Sequence, residues 1–106
     1  QVLVDYAGFL TDGTLFDTSK PDVAKTYDMF DQLTRMHRGS LAPSAMPFST
    51  DSPLVAGFRE GLLSMEIGEK VRLFIPSHLG YGEQGGGPIP PNADLVFDLE
   101  IIGKAQ

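Results

Sequence analysis

Two stretches alternate apolar and polar side chains with period two, and that alternation constrains the fold more than anything else in the chain. In 70–76, Val71, Leu73 and Ile75 fall on one side, with Lys70, Arg72 and Phe74 on the other. In 94–103, Leu95, Phe97, Leu99 and Ile101 share one side. Successive side chains of a strand point to opposite faces, so each pattern predicts a strand with one buried face. Residues 2–10 are rich in β-branched, aromatic and leucine side chains and predict a third strand. Thr11-Asp12-Gly13-Thr14 follows. Asp-Gly between apolar stretches predicts a hairpin, returning through a short strand at Leu15-Phe16-Asp17. Residues 48–50 predict a further short strand, and 51–53 a turn.

Helical signals are fewer. One helix is predicted between residues 19 and 36, with Ser19 as its cap, Pro21 in the first turn and Asp22 at the third position. Val23, Tyr27, Phe30 and Leu33 lie on its apolar side, and it stops before His37-Arg38-Gly39. Residues 40–47 contain two prolines and predict a loop. A second short helix is predicted at 57–65, burying Phe58, Leu62 and Met65, with Gly68 ending it. Residues 77–92 hold too many glycines and prolines for regular structure. The sum is an α+β fold: an antiparallel sheet covered by one short helix, without internal repeats.

Composition narrows the function classes. Fourteen acidic against eight basic side chains give a net charge of −6. That balance argues against nucleic acid or an anionic membrane surface as partner. No apolar run approaches the ~20 residues that cross a bilayer, so a soluble domain is expected. The absence of cysteine excludes a disulfide framework, a thiolate nucleophile and a cysteine zinc site. Gln1 is not an initiator methionine, and no charged segment or cleavage signal precedes the first strand. The chain therefore reads as a piece of a longer protein, and its compartment stays open, bacterial cytoplasm and cell envelope both being compatible.

Conventional catalytic constellations are missing from the sequence. His37 and His78 lie in different segments, outside metal-spaced motifs, and each reads as structural or solvated. No nucleophile elbow is present, and the glycine run at 82–87 lacks the lysine and helix of a phosphate loop. No metal and no cofactor are therefore expected. What the chain does supply is aromatics, namely Tyr6, Phe9, Phe16, Phe48, Phe58, Phe74, Tyr81 and Phe97, in a sequence without tryptophan. A small domain needs such side chains for its core.

Three collinear blocks carry a family resemblance. Val4-Asp5-Tyr6-Ala7-Gly8 with Asp12-Gly13-Thr14-Leu15-Phe16-Asp17-Thr18-Ser19 resembles the opening signature of FKBP domains. Leu54-Val55-Ala56-Gly57-Phe58-Arg59-Glu60-Gly61-Leu62, then Met65 and Gly68-Glu69-Lys70, resembles their central helix. Ile75-Pro76-Ser77-His78-Leu79-Gly80-Tyr81-Gly82 and Ile89-Pro90-Pro91-Asn92-Ala93-Asp94-Leu95-Val96-Phe97 resemble the closing signature.

The resemblance implies a curved antiparallel sheet wrapped around one short helix, with an apolar pocket between them that receives a proline ring. It implies a peptidyl-prolyl cis-trans isomerase assisting protein folding. Tyr6, Asp17, Phe58, Tyr81 and Phe97 would be its catalytic residues, and Phe16, Phe48, Leu54, Val55 and Ile89 would bind substrate. Phe58 would form the pocket floor, where the family most often has tryptophan. Phe58 and Phe97 would hold the proline ring, while the Val55 N–H and the Tyr81 hydroxyl align the substrate carbonyls. The Tyr6 hydroxyl would hold Asp17, whose carboxylate acts either structurally or electrostatically. Proline-containing peptides and unfolded proteins would be the partners, together with macrolide inhibitors, and the domain would be monomeric.

Departures from the family pattern are also visible. Against that pattern the first family strand is missing, and residues 20–46 read as an insertion within a single domain at 1–106. The 48–54 segment is short, with Pro53 inside it, and the glycine loop before Ile89 is about one residue short. Two other functions compete with catalysis. One is a proline-directed binding or chaperone module in which Met29, Met36, Met46, Tyr27 and Phe30 offer an adaptable surface rather than covering core. The other is a structural domain, which has no need of Tyr81 and Ile89 where they stand.

Overall fold

Strand β1 (Val2–Leu10) is the hub of the sheet, because strands pair along both of its edges. The computed structural model describes residues 1–49 and 55–105. Along one edge β1 pairs with β5 (Leu95–Lys104) for its full length. Along the other it pairs first with β3 (Ser44–Met46) and then with β2 (Leu15–Thr18). Strand β4 (Lys70–Ile75) closes the far side on β5, giving the order β2-β1-β5-β4, entirely antiparallel and open. The predicted class is therefore the observed one.

Alternation sets the two faces. Val4, Tyr6 and Gly8 sit opposite Ile101, Leu99 and Phe97, which sit opposite Val71 and Leu73 where β4 continues the row. Helix α3 (Ala56–Leu63) covers this face, burying Phe58 and Leu62. Together with Ile75, Leu95 and Ile89 these residues form the main core. On solvent's side of β4, Phe74 is 75% exposed, as the alternation requires.

The opposite face of β1 is covered by two helices, not the single one predicted. Helix α1 spans Pro21–Thr26 and α2 spans Phe30–Met36. Asp28 breaks them by taking a left-handed φ of 58°. Its N–H bonds Lys25 O, and the Met29 N–H reaches back to Ala24 O at 2.8 Å, which closes α1 in a Schellman turn. The same closure ends α2 where predicted, with Gly39 N–H bonding Thr34 O at 2.7 Å; here Arg38 takes the left-handed position, one residue before the glycine. The break rotates the apolar side. Ala24 and Leu33 are buried with Ala7, Leu15 and Leu41 in a second core, while Tyr27 turns outward at 45% exposure against the expectation.

Other boundaries also differ. Lys20, not Ser19, precedes α1. The fully buried Ser19 hydroxyl instead donates to Asp5 Oδ1 at 2.8 Å and accepts from the Tyr6 N–H at 2.9 Å. A strand stands at β3 inside the predicted 40–47 loop, because Ala45 and Met46 find partners in Leu3 and Val2. Phe48 lies outside any strand. The rest of the predicted 48–50 strand, the 51–53 turn and Leu54 lie outside the described residues. Helix α3 stops at Ser64, and Gly68 belongs to the turn into β4, where its N–H bonds Ile101 O. The 77–92 stretch contains one 3-10 turn, Ser77–Leu79.

Leu33 is the keystone of the second core, at 1% exposure. Leu33→Ala is expected to cost about 2–5 kcal/mol through lost contacts and a residual cavity. Urea unfolding should show a lower midpoint at unchanged slope.

Candidate functional site

A register slip in the first hairpin builds the site. Ala7 faces Thr18 and Gly8 faces Asp17, but Phe9 faces Leu15, so Phe16 has no partner on β1. The extra residue is a β-bulge, a device that re-aims side chains. Leu15 consequently enters the second core, while Phe16 and Asp17 both reach the main-core side that also holds Tyr6 and Phe97.

Three phenylalanines meet there edge to face. Phe97 stands between the others, its ring centroid 5.4 Å from Phe16 and 5.0 Å from Phe58, at interplanar angles of 87° and 90°. Such pairs contribute about 0.5–1.5 kcal/mol each beyond their burial. Each of the three residues keeps only 5–6% of its surface exposed, so the cluster is dry. Gly8 makes it possible. A Cβ on Gly8 would stand 2.6 Å from Phe16 Cζ and 2.7 Å from Phe97 Cε1. Glycine is required here by two neighbours, one beside it on each flanking strand.

A polar arm borders the rings. The Tyr6 hydroxyl donates to Asp17 Oδ2 at 2.9 Å. Asp17 Oδ1 lies 2.7 Å from His37 Nε2, at the C-terminal end of α2. Burial, then the Asp17 charge, then the hydrogen bond to it push the Tyr6 phenol well above its usual range. The Tyr81 phenol adds to that shift in the same direction.

The remaining expected residues distribute as follows. Ile89 is buried in the main core, held by paired backbone bonds with Gly86 around a tight turn. Val55 packs against that core as the residue preceding α3, and among the described residues no side chain caps the helix. Tyr81 is 41% exposed, its ring against Gly86. Phe48 stands apart, lining a groove with Val2, Met65, Ile67 and Ile101. The structure thus assembles Tyr6, Phe16, Asp17, Phe58, Ile89 and Phe97, with Val55 against them. Sequence reasoning read His37 as structural or solvated and did not see its Asp17 partner or the spatial role of Gly8. Only the bulge and the helix break bring these two into place, and neither has a local sequence mark.

Comparison with known proteins agrees with the fold. The family model of FKBP-type peptidyl-prolyl cis-trans isomerases matches residues 1–102. The FKBP-type peptidyl-prolyl cis-trans isomerase FkpA of Aeromonas hydrophila is 40% identical over 101 residues, covering 95% of this chain and 30% of that protein. FK506-binding protein 2 of Yarrowia lipolytica is 38% identical over 102 residues, covering 95% of this chain and 58% of that protein. The crystal structure of AtFKBP13 superposes with a TM-score of 0.72 at 29% identity, covering 98% of this chain and 78% of that one. The chain belongs to the FKBP family. It spans 30% and 58% of the length of the two relatives named.

Two outcomes test the site's construction. Gly8→Ala is expected to wedge Phe16 from Phe97 and destabilise the fold by about 1–3 kcal/mol, read by thermal or urea unfolding. Alkaline absorbance titration should show a late tyrosine phase, raised above the usual phenol range, that Tyr6→Phe removes. The sign follows from linkage: a phenol raised in the folded state stabilises fully below its unfolded value of about 10 and loses this as pH climbs toward the folded one.

Proposed function

We propose that this chain catalyses cis-trans isomerisation of X-Pro peptide bonds. The observation that carries the reading is the dry cluster in which Phe16 and Phe58 each stand edge to face with Phe97, beside the Tyr6–Asp17 pair. Family membership supports it.

The physical problem is amide resonance, which sets a barrier of ~18–20 kcal/mol. Uncatalysed exchange takes tens to hundreds of seconds. Halfway through rotation the resonance is lost, and with it much of the amide's charge separation. An aromatic surface free of water disfavours the polar planar form more than the twisted one, and that difference lowers the barrier. Each ~1.4 kcal/mol so gained is tenfold in rate. Neither proton transfer nor a covalent step is required.

In this reading Phe58 and Phe97 hold the proline ring. Backbone N–H groups at the head of α3, beginning with Val55, and the hydroxyl of the exposed Tyr81 take the substrate carbonyls. Ile89 walls the site, and Asp17 fixes its polar edge. Proline-containing peptides and unfolded proteins are the substrates, and macrolides of the kind named by FK506-binding protein 2 compete for the same surface. No helix among the described residues is long and apolar enough to cross a membrane.

We further propose that 1–106 forms one isomerase domain and that 20–46 is inserted in it. Met29 and Phe30 pack on the second core, which favours a covering role for this segment over a client-binding one. Met36 and Tyr27 remain outside, at 51% and 45% exposure.

A protease-free isomerisation assay on a proline tetrapeptide decides the matter. Phe97→Leu, which keeps an apolar side chain of smaller area, is expected to lower kcat/KM by about tenfold with the fold retained. Full activity in that variant contradicts the assignment. Peptide binding without turnover in the unmodified chain favours the binding module instead.

A further inference from the structure

The helical segment on the back of the sheet sends one side chain around the edge to the isomerase site. That side chain is His37. It follows α2 directly, and its ring ends 2.7 Å from Asp17, a residue 20 positions earlier in the chain. We infer that His37 is a positioning residue for isomerisation: it holds the Asp17 carboxylate so that the other oxygen stays on the Tyr6 hydroxyl beside the Phe16–Phe97 rings. The inference rests on the isomerase reading above.

The geometry leaves Asp17 with little freedom. Oδ1 faces His37 Nε2 and Oδ2 accepts from Tyr6. An ionised carboxylate only accepts, so the contact requires a proton on Nε2. With both oxygens engaged, the carboxylate plane is fixed by two anchors on two different elements. With one removed, rotation about the Asp17 side-chain bonds carries the charge toward water, and the Tyr6 hydroxyl loses its acceptor. That hydroxyl belongs to a phenol lying against the main core, where a lost partner is costly.

His37 is itself anchored. Its backbone N–H bonds Leu33 O at 2.9 Å, and the turn that follows is closed by Gly39 on Thr34. Leu33, one turn earlier, is among the most buried side chains in the chain. Exposure separates this contact from an ordinary surface pair. The His37 and Asp17 side chains are each 25% exposed, whereas Arg72 and Asp98, paired across β4 and β5, are 64% and 42% exposed. Solvent screens the second pair far more than the first. The segment between β2 and β3 is therefore not only a cover for the back face, since it completes the polar edge of the site.

The experiment compares His37→Ala, His37→Gln, Asp17→Asn and the His37→Ala/Asp17→Asn double variant, each checked for folding. Turnover and Kd are measured on one proline tetrapeptide. His37→Ala is expected to lower kcat/KM about three- to tenfold, chiefly through kcat, the scale of a partly shielded hydrogen bond to a charged group. His37→Gln, whose amide nitrogen reaches as far as Nε2, is expected to recover most of the loss. The double variant is expected to lose little more than Asp17→Asn alone, because the two residues act through one contact. Unchanged kcat/KM in a folded His37→Ala overturns the inference. So does failure of His37→Gln to recover activity, or full additivity in the double variant. Absence of turnover in the unmodified chain sinks the isomerase reading instead. The same pattern of loss, rescue and non-additivity in peptide Kd then decides whether His37 sets the site.

Discussion

The missing side chain at Gly8 is the constraint on which the rest depends. A strand at the centre of a sheet normally keeps its neighbours' side chains apart by the width of its own. At Gly8 that width is gone, and Phe16 from one flanking strand meets Phe97 from the other directly above the backbone. Phe58 of α3 then closes on Phe97 from above. A ring cluster spanning three elements is thereby fixed by backbone pairing, because the residues flanking Gly8 are set by register. Loss of side-chain freedom in such a cluster occurs on folding, before any substrate arrives.

The bulge at Phe16 is the second half of the same arrangement. It sends two consecutive residues, Phe16 and Asp17, to one side, which an unbroken strand cannot do. One supplies apolar surface and the other a carboxylate at its margin. The separation of roles suits a reaction whose transition state is less polar than its ground state. The charge is held at the edge by Tyr6 and His37, and the centre stays apolar.

Much of this was legible in the sequence, for physical reasons. The strands β4 and β5 have one wet and one buried face, so burial imprinted period two on 70–75 and 95–101. Helix α3 showed through Phe58 and Leu62, which share its buried side, while Met65, expected on the same helix, is buried just beyond its end. The family blocks contained Gly8, Phe16, Asp17 and Phe97 in order. What stayed hidden were features decided by distant neighbours. Asp28 breaks the 21–36 helix, though aspartate tolerates the left-handed region only modestly well. Once broken, Tyr27 leaves the buried side that a continuous helix would have given it. Strand β3 has no propensity of its own and exists because β1 offers a free edge at Leu3. His37 read only as structural or solvated because nothing within its own segment points to a carboxylate 20 residues away.

The most direct test of the account is nuclear magnetic resonance of a proline tetrapeptide mixed with the folded chain. Exchange spectroscopy reports the interconversion of its cis and trans forms, and intermolecular Overhauser contacts report where the proline ring sits. The account predicts accelerated exchange together with contacts from the proline ring protons to the Phe58 and Phe97 rings. Accelerated exchange with the proline ring against any other surface contradicts it.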